Sequence, residues 1–270
     1  MTPSDASVVL TGAAGGLGSA IARQLKKDGA TLLLVGRSAG PLLSLAQSLK
    51  GDPQNRSDVD VLVVDITTDH GRAAIIDAAA ARQANVLINN AAVAAFGPAQ
   101  DLQPELARRM LETNVLAPML LTAGMLPMLC SRERAQVLNI GSTLGSVGVP
   151  GFSAYGASKA ALRIYTEALR REFADSRVQI QYYAPRAIDT DFNTPQIVAF
   201  NKATGSPSDT PEAVARQVAH MLNSESRQRF AGRTEALAAR LNGLFPECLD
   251  GAFGKHRRAL ESLKLTPGAS

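Results

Sequence analysis

The sequence predicts an α/β fold in which a doubly wound parallel sheet is flanked by helices on both faces. Short apolar runs alternate with longer helical patterns through the first two thirds of the 270 residues. Parallel strands that are covered on both faces have such continuous apolar runs, and their crossover connections are helical. The composition agrees with this fold, because 46 % of the residues are hydrophobic and only 4 % are aromatic.

Six apolar runs are predicted to be strands, and five helical patterns lie between or after them. The strands are residues 8–10, 31–35, 59–64, 86–88, 137–140 and 178–183, and the helices are residues 17–28, 39–50, 69–83, 102–131 and 153–173. No internal repeat, low-complexity block or linker divides the chain. We therefore expect a single domain over residues 1–270, with a core of about 7–223.

The pattern becomes irregular after the sixth predicted strand. Prolines and glycines interrupt residues 186–211, and such a segment is typical of an active-site lid. A helix is expected from Pro211 to about residue 223, with Asp209 or Thr210 as its cap. The tail, about 233–264, is predicted to be a helical extension that is broken at Phe245-Pro246.

The charge distribution argues against a nucleic-acid partner. The formal net charge is only +4, and the basic residues are dispersed apart from the run at 255–258. No secretory signal precedes the first strand, and the uncharged stretch 114–131 is interpreted as a buried or interface helix, so we expect a cytoplasmic protein. Cys130 and Cys248 lie far apart in the sequence, so neither a metal site nor a disulfide is expected. The three isolated histidines, His70, His220 and His256, are interpreted as surface residues.

A glycine-rich turn, residues 11–18, separates the first strand from the first helix. Gly12, Gly16 and Gly18 would allow a tight turn and let the backbone approach a pyrophosphate at the helix N-terminus. The alternative is a strand-to-helix turn that needs glycine for geometric reasons only. The position between an apolar strand and an amphipathic helix favours dinucleotide binding.

Tyr155 and Lys159 are four residues apart and would share one face of the helix 153–173. A free tyrosine has a pKa near 10, and a neighbouring ammonium group favours the phenolate. The pair is therefore a candidate for proton transfer near neutral pH. Taken alone the motif is weak, because a tyrosine and a lysine at this spacing occur by chance in many helices.

Together these motifs resemble the short-chain dehydrogenase/reductase family, in its single-domain branch with a Rossmann-type fold. Ser142 precedes Tyr155 by thirteen residues, and Asn114 precedes Ser142 by twenty-eight. The resemblance covers about residues 7–223. It is carried by Thr11-Gly12-x-x-x-Gly16-x-Gly18, Asn89-Asn90-Ala91, Asn114, Ser142, Tyr155 and Lys159.

The resemblance implies four catalytic residues. Tyr155 would be the general acid or base, and Lys159 would lower its pKa and bind the nicotinamide ribose. Ser142 would donate a second hydrogen bond to the reacting oxygen; otherwise it caps a helix or turn. Asn114 would hold a water molecule that links Lys159 to solvent; otherwise it is a buried amide that kinks its helix.

The resemblance also implies a cofactor site. Asn89 is not expected to bind the cofactor, and would brace the central strands. NADP(H) is preferred over NAD(H), because Gly36-Arg37 offers a guanidinium where an NAD site usually has a carboxylate. The alternative for Arg37 is a solvated loop cation. The expected cofactor-binding residues are Gly12, Ala14, Gly15, Gly16, Leu17, Gly18, Arg37, Ser38, Asp65, Ile66, Asn90, Ala91, Tyr155, Lys159, Pro185, Arg186, Ile188 and Thr190.

Two features depart from the family pattern. Arg186 stands where relatives commonly have glycine, and it would bind an anion or pair with a neighbouring aspartate. The tail lacks the Asp-Gly-Gly strand of many tetrameric members, so it would close the substrate pocket or contact a membrane surface weakly. A homodimer is favoured over a homotetramer, with an interface on the helices at 102–131 and 153–173.

We therefore expect an NADP(H)-dependent oxidoreductase that interconverts a carbonyl and a secondary alcohol, with a ketone or oxoacyl compound as substrate. Apolar residues are expected around that substrate: Val93, Leu144, Pro150, Phe152, Phe192 and Ile197. The main alternative is a catalytically inactive, cofactor-sensing regulatory or scaffold protein on the same fold. A nucleotide-sugar epimerase or a peripheral lipid enzyme would differ in substrate domain or in location.

Overall fold

The computed structural model describes residues 3–50 and 58–264. The strands in this part of the chain are β1 (Ser7–Thr11), β2 (Thr31–Gly36), β3 (Val59–Val63), β4 (Val86–Asn89), β5 (Ala135–Ile140), β6 (Val178–Ala184), β7 (Ala187–Ile188), β8 (Ser208–Asp209) and β9 (Gln228–Phe230). The helices are α1 (Gly16–Lys27), α2 (Ala39–Lys50), α3 (Asp69–Ala81), α4 (Pro104–Leu111), α5 (Ala117–Cys130), α6 (Ser153–Glu172), α7 (Pro195–Thr204), α8 (Pro211–Ser224), α9 (Arg233–Leu244) and α10 (Gly254–Lys264).

Seven strands form one sheet in the order β3-β2-β1-β4-β5-β6-β9, and every neighbouring pair is parallel. The chain order reverses between β1 and β4, so a crevice opens at the carboxyl ends of these strands, where ligands bind in such sheets. The predicted doubly wound fold is confirmed. The seventh strand, β9, was not predicted, because three residues with the sequence Gln-Arg-Phe give no apolar run.

Alternate residues of the strands bury opposite faces of the sheet. Val8 and Leu10 pack with α1, α2 and α8, whereas Val9 packs on the other side with α3, α5 and α6. All three strand residues are at most 1 % exposed. Burying a side chain of this kind contributes about 1.5–3 kcal/mol, so these two apolar layers hold the carboxyl edge of the sheet in a fixed position.

Buried amides connect the two central strands and the helices above them. Asn89 on β4 donates to Oδ1 of Asn139 on β5 (2.8 Å) and to the hydroxyl of Thr122 (3.0 Å). Asn139 in turn donates to the hydroxyl of Thr166 on α6 (2.8 Å). The expected bracing role of Asn89 is therefore what the structure contains, and α6 is fixed relative to the sheet.

The predicted helix 102–131 consists of α4, one turn of π-helix over Glu112–Leu116, and α5. This segment, Pro104–Cys130, is long and apolar enough to cross a membrane, and 44 % of its most apolar window is buried in the fold. The predicted interface includes nine apolar side chains of 102–131 and 153–173. Five of these are buried in the chain's own core: Met125, Leu126, Leu129, Leu162 and Leu169.

The segment 186–211 and the tail come together over the carboxyl edge of the sheet. β7 pairs with β8, and α10 packs against α7. Thr210 rather than Asp209 caps α8, because its hydroxyl accepts from the Ala213 amide (3.3 Å). The tail is helical as predicted, and a 3-10 helix over Pro246–Phe253 separates α9 from α10.

Candidate active site

The glycine turn between β1 and α1 is shaped by contacts that leave no room for larger side chains. Gly12 has a φ of +64°, and a Cβ atom there would lie 2.7 Å from the Cα of Ala91. A Cβ atom on Gly18 would overlap the carbonyl oxygen of Gly12. Asn90 holds the turn by donating to the carbonyls of Thr11 (2.9 Å) and Gly12 (3.2 Å). The backbone at this turn is therefore closely packed and open to the crevice.

The N-terminus of α1 has no side-chain cap, because its N-cap residue is Gly15. In contrast, the first turns of α7 and α8 are capped by Thr194 and Thr210. The positive end of the α1 dipole and its free amide groups thus face the crevice, as in an anion-binding site. A Cβ atom on Gly16 would lie 2.6 Å from Cγ2 of Thr190, so Thr190 lies directly over this turn.

Arg37 and Asp65 flank the outer end of the crevice. The Nη1 atom of Arg37 lies 3.8 Å from Oδ2 of Asp65, and the Arg37 side chain is 52 % exposed. Asp65 also accepts hydrogen bonds from the amide and the hydroxyl of Thr67. Burial alone would raise the pKa of Asp65, but these hydrogen bonds and the charges of Arg37 and Arg109 outweigh it and lower that pKa. Ser38 is exposed at the start of α2 and does not reach the crevice wall.

Three of the four predicted catalytic residues, Ser142, Tyr155 and Lys159, line the centre of the crevice. Tyr155 and Lys159 occupy adjacent turns of α6, and the Lys159 Nζ lies 5.9 Å from the centroid of the tyrosine ring. Both residues are buried, at 9 % and 2 % exposure. Nζ donates to the carbonyl of Ile140 at the end of β5 (3.0 Å). Sheet edge and helix together therefore fix the ammonium group.

Ser142 follows β5 and lies beside Tyr155. Its hydroxyl oxygen accepts from the Leu144 amide (3.1 Å), so it caps the short turn at Thr143–Gly145. The same hydroxyl group is close enough to Tyr155 to oppose the effect of burial on the Tyr155 pKa. The structure thus contains the cap, which is one of the two roles predicted for Ser142, and donation to the reacting oxygen stays a prediction.

Burial dominates the protonation of this centre. It raises the pKa of Tyr155 above its ordinary value, and the neighbouring Tyr182 adds to this effect. Burial also lowers the pKa of Lys159 from 10.5 to about 8. The expected lowering of the tyrosine pKa is not found in this structure, because desolvation of the phenolate exceeds the stabilisation by its neighbours. Tyr155 is therefore a protonated hydrogen-bond donor at neutral pH.

Asn114 lies behind the crevice wall, within the π-helical turn. Its side-chain amide donates to the Val93 carbonyl (2.8 Å) and to the Ser158 hydroxyl (3.0 Å), and its oxygen accepts from the Val93 amide (2.8 Å). These bonds tie the loop after β4 to α6, one residue before Lys159. Asn114 is therefore a buried amide in an irregular turn, which is one of the two roles predicted for this residue.

Arg186 forms an ion-pair cluster with the segments that follow it. Its guanidinium donates to both carboxylate oxygens of Asp209 on β8 (2.9 and 2.6 Å) and to Glu235 on α9 (3.5 Å). These partners raise the pKa of Arg186. Of the two alternatives from the sequence, pairing with an aspartate is the one observed. The cluster links the strand β8 to the tail.

One cavity of about 740 Å³ extends from the glycine turn past Tyr155 to the tail. Every predicted site residue lines it except Ser38 and Asn114, and every predicted apolar pocket residue does so except Pro150. Sequence reasoning missed several residues of its far wall: Val149, Phe200, Asn201, Ser206, Glu235, Ala238, Phe253 and His256. The prediction that His256 is a surface residue was wrong, because α10 packs on α7 and carries this half-buried ring into the cavity wall.

The comparisons with known proteins agree with this geometry. A family model described as short chain dehydrogenase matches residues 6–198. Dehydrogenase/reductase SDR family member 7B of Bos taurus is 31 % identical over 256 residues, which are 90 % of this chain and 78 % of that protein. The match covers 64 % of the Mus musculus protein of the same name. Ketoacyl reductase HetN of Nostoc sp. is 30 % identical, with 82 % of this chain and 77 % of that protein covered.

Solved structures share the fold. A short chain dehydrogenase/reductase from Burkholderia phymatum, in complex with NAD, superposes with a TM-score of 0.82 at 22 % identity, covering 92 % of this chain and 96 % of that one. Other structures with this fold are complexes with NADPH or NADP+. The chain is therefore a member of the short-chain dehydrogenase/reductase family of oxidoreductases.

Proposed function

We propose that this protein is an NADP(H)-dependent oxidoreductase that interconverts a carbonyl and a secondary alcohol, with Tyr155 as general acid and base. The observation that carries the proposal is the position of Tyr155, Ser142 and Lys159 in the middle of a cavity that begins at the glycine turn. A protonated tyrosine, a hydroxyl group and a buried amine are the groups that stabilise an oxygen whose charge develops during reduction.

The residues of the crevice fit a nicotinamide dinucleotide. The glycine turn and the uncapped amides of α1 would hold its pyrophosphate, and Asp65 with Asn90 would line the adenosine side. Ile188 and Thr190, from the strand β7 and the loop after it, would contact the nicotinamide carboxamide. When bound, such a cofactor supplies or accepts the hydride.

The preference for NADP(H) is proposed from Arg37. Its guanidinium is half exposed at the crevice, and its distance of 3.8 Å from Asp65 leaves donors free for a second anion. Arg37 follows the last residue of β2, Gly36, so the usual carboxylate that accepts from a ribose 2′-hydroxyl is missing there. A 2′-phosphate would pair with the guanidinium instead.

The proton is moved by residues of α6 and the β5 loop. The phenol of Tyr155 would donate its proton to the carbonyl oxygen, while the Ser142 hydroxyl donates a second hydrogen bond to the same oxygen. Lys159 has a pKa of about 8, so it exchanges protons near neutral pH and would restore the proton of Tyr155. The raised pKa of Tyr155 keeps its acid form present before a reduction begins.

The substrate would lie between Tyr155 and the tail. Phe152, Phe192 and Ile197 line this part of the cavity, and the ring of Phe192 lies 6.3 Å from that of Tyr155. An aromatic and aliphatic wall suits a ketone or oxoacyl compound with a substantial apolar body. We propose that residues 186–211 act as the lid over this substrate, within one domain that includes the tail.

A homodimer is proposed from the exposed side chains of α5, of α6 and of the π-helical turn that precedes α5. Leu116, Leu120 and Ile164 are 49 %, 42 % and 53 % exposed. The two helices are joined by a hydrogen bond from the Tyr165 hydroxyl to the Met119 carbonyl (3.2 Å). A self-complementary apolar patch on paired helices is suited to two-fold association.

The test of the proposed chemistry is Tyr155→Phe, which removes the phenolic proton and keeps the ring. Turnover of a panel of ketones with NADPH should fall by at least about a thousandfold, within the range of acid–base contributions and tyrosine-dependent positioning. NADPH binding by calorimetry should change little. Tyr165→Phe, on the same helix but outside the cavity, is the matched control. Substantial turnover by Tyr155→Phe would refute the assignment of the proton donor.

A further inference from the structure

We propose that His256 is a specificity residue that hydrogen-bonds an uncharged oxygen of the substrate, remote from the reacting carbonyl. The preferred substrate would then be an apolar ketone that carries a second oxygen, as a hydroxyl, carbonyl or ether group. This inference rests on the proposed function for the reacting end of the substrate. The observations that carry it concern only the far end of the cavity.

The aromatic wall of the cavity leads from Tyr155 to His256. The ring of His256 lies 5.8 Å from that of Phe200 and 5.0 Å from that of Phe253. Phe200 lies 5.9 Å from Phe152, whose ring is 6.4 Å from that of Tyr155. Three successive ring contacts therefore join the proton donor to the histidine, so one elongated substrate can contact both.

The imidazole of His256 has no hydrogen-bond partner among the described residues. Its Nδ1 atom is unpaired and is shielded from water in the present orientation of the ring, so a rotation of the ring that turned Nδ1 into the cavity would let it bind a substrate oxygen. A ring held by two phenylalanines in a substrate cavity, with unused hydrogen-bonding capacity, is suited to bind a polar group of a ligand. Asn201 and Ser206 lie on the same stretch of wall and add polar character there.

The surrounding charges favour an uncharged oxygen over an anionic group. Burial and the neighbouring Lys255 lower the pKa of His256, so the ring is neutral at pH 7, with one donor and one acceptor nitrogen. The Lys255 ammonium donates to the Thr204 carbonyl (3.0 Å) at an exposed position. Asp191 also lines the cavity, and its carboxylate would repel an anionic substrate, whereas the carboxylate of Glu235 is paired with Arg186.

The test compares pairs of ketones that have equal chain length and end in either a methyl or a hydroxyl group. The unmodified protein should prefer the hydroxyl-terminated ketone by about tenfold in kcat/KM at the best chain length, mainly through KM. His256→Phe fills the same space without a nitrogen and should reduce this ratio to about one. His256→Gln keeps a donor and should retain part of it. His220→Phe, at an exposed position on α8, should leave the ratio unchanged.

A binding readout separates this inference from the proposed function. The chain has three histidines, so their imidazole nitrogen signals can be assigned by NMR with the single variants. Titration with the hydroxyl-terminated compound should shift the His256 signals, and the methyl-terminated compound should shift them much less. If no ketone is reduced but this shift occurs, the proposed function fails and the subsite stands.

Three outcomes would overturn the subsite. They are an unchanged ratio in His256→Phe, an equal loss of activity with both ketones of a pair, or the absence of a selective shift. An equal loss would mean that His256 only packs between Phe200 and Phe253. Thermal unfolding of each variant identifies any general loss of fold. If His256→Phe is unfolded, His256→Gln and the titration of the unmodified protein decide whether the subsite exists.

Discussion

Replacing Lys159 with methionine should stabilise the fold at neutral pH while removing activity. Methionine has nearly the length of lysine and suits a site that is 2 % exposed. The buried ammonium group is costly, since burial lowers the Lys159 pKa from 10.5 to about 8. The substitution removes that cost together with one hydrogen bond to the Ile140 carbonyl.

The magnitude follows from the pKa difference. A lysine pKa that falls from 10.5 in the unfolded chain to about 8 in the folded protein corresponds to about 3 kcal/mol in favour of the unfolded state at pH 7. Loss of the hydrogen bond to Ile140 costs about 1 kcal/mol. Lys159→Met should therefore raise the free energy of unfolding by about 2 kcal/mol at pH 7.

The buried ammonium group also determines whether the free energy of unfolding rises or falls with pH. Between about pH 8 and pH 10.5 the unfolded lysine holds its proton and the folded one has lost it, so the stability of the unmodified protein rises with pH. The tyrosines with raised pKa values act only above about pH 10, where they lower stability as pH rises. The advantage of Lys159→Met should thus shrink by about 2 kcal/mol between pH 7 and pH 9.5.

The measurement is urea denaturation of both proteins at several pH values from 6.5 to 9.5, with Lys27→Met as the control. Lys27 is exposed at the end of α1, so this control should show neither the gain nor the pH dependence. If Lys159→Met is no more stable than the unmodified protein, and both depend on pH alike, the reasoning from the buried ammonium group is wrong.

Arg37→Asp should weaken NADPH binding by about 10- to 150-fold and erase the preference over NADH, as expected for a charge-assisted bond of about 1.5–3 kcal/mol; equal calorimetric affinities of the unmodified protein for the two would contradict this. Gly18→Ala should lower the free energy of unfolding by about 1–3 kcal/mol, because the new methyl group meets the Gly12 carbonyl. Gly40→Ala, with open space around it, should be neutral or stabilising. Leu120→Glu should yield a 28.4 kDa monomer by light scattering, whereas a monomeric or tetrameric unmodified protein would refute the dimer.

The sheet and the crevice could be predicted because their signals are local. Continuous apolar runs mark strands that are covered on both faces, and the glycines of residues 11–18 are needed where backbone meets backbone. The structure brings Tyr155, Ser142 and Lys159 to one cavity, because their positions depend on two elements of regular structure, β5 and α6.

The far wall of the cavity could not be predicted, because it depends on how the tail packs. His256 gives no pattern in the sequence, and only the contact between α10 and α7 brings it to the cavity. The sequence also could not predict whether the pKa of Tyr155 is raised or lowered. It depends on the balance of burial against nearby donors, and this balance requires coordinates.

The tail that bears His256 follows β9, the last strand of the sheet, in the sequence. The outer half of the cavity can therefore be exchanged between relatives as a separate module, without cutting any sheet hydrogen bond. Two hydrogen-bonded attachments of α9 would have to be preserved in such a chimaera. One is Glu235, which pairs with Arg186 (3.5 Å), and the other is Asn242, which donates to the Ser146 carbonyl (2.9 Å). We expect an exchange of the residues after Asn242 to change substrate recognition and to leave the proposed reaction unchanged.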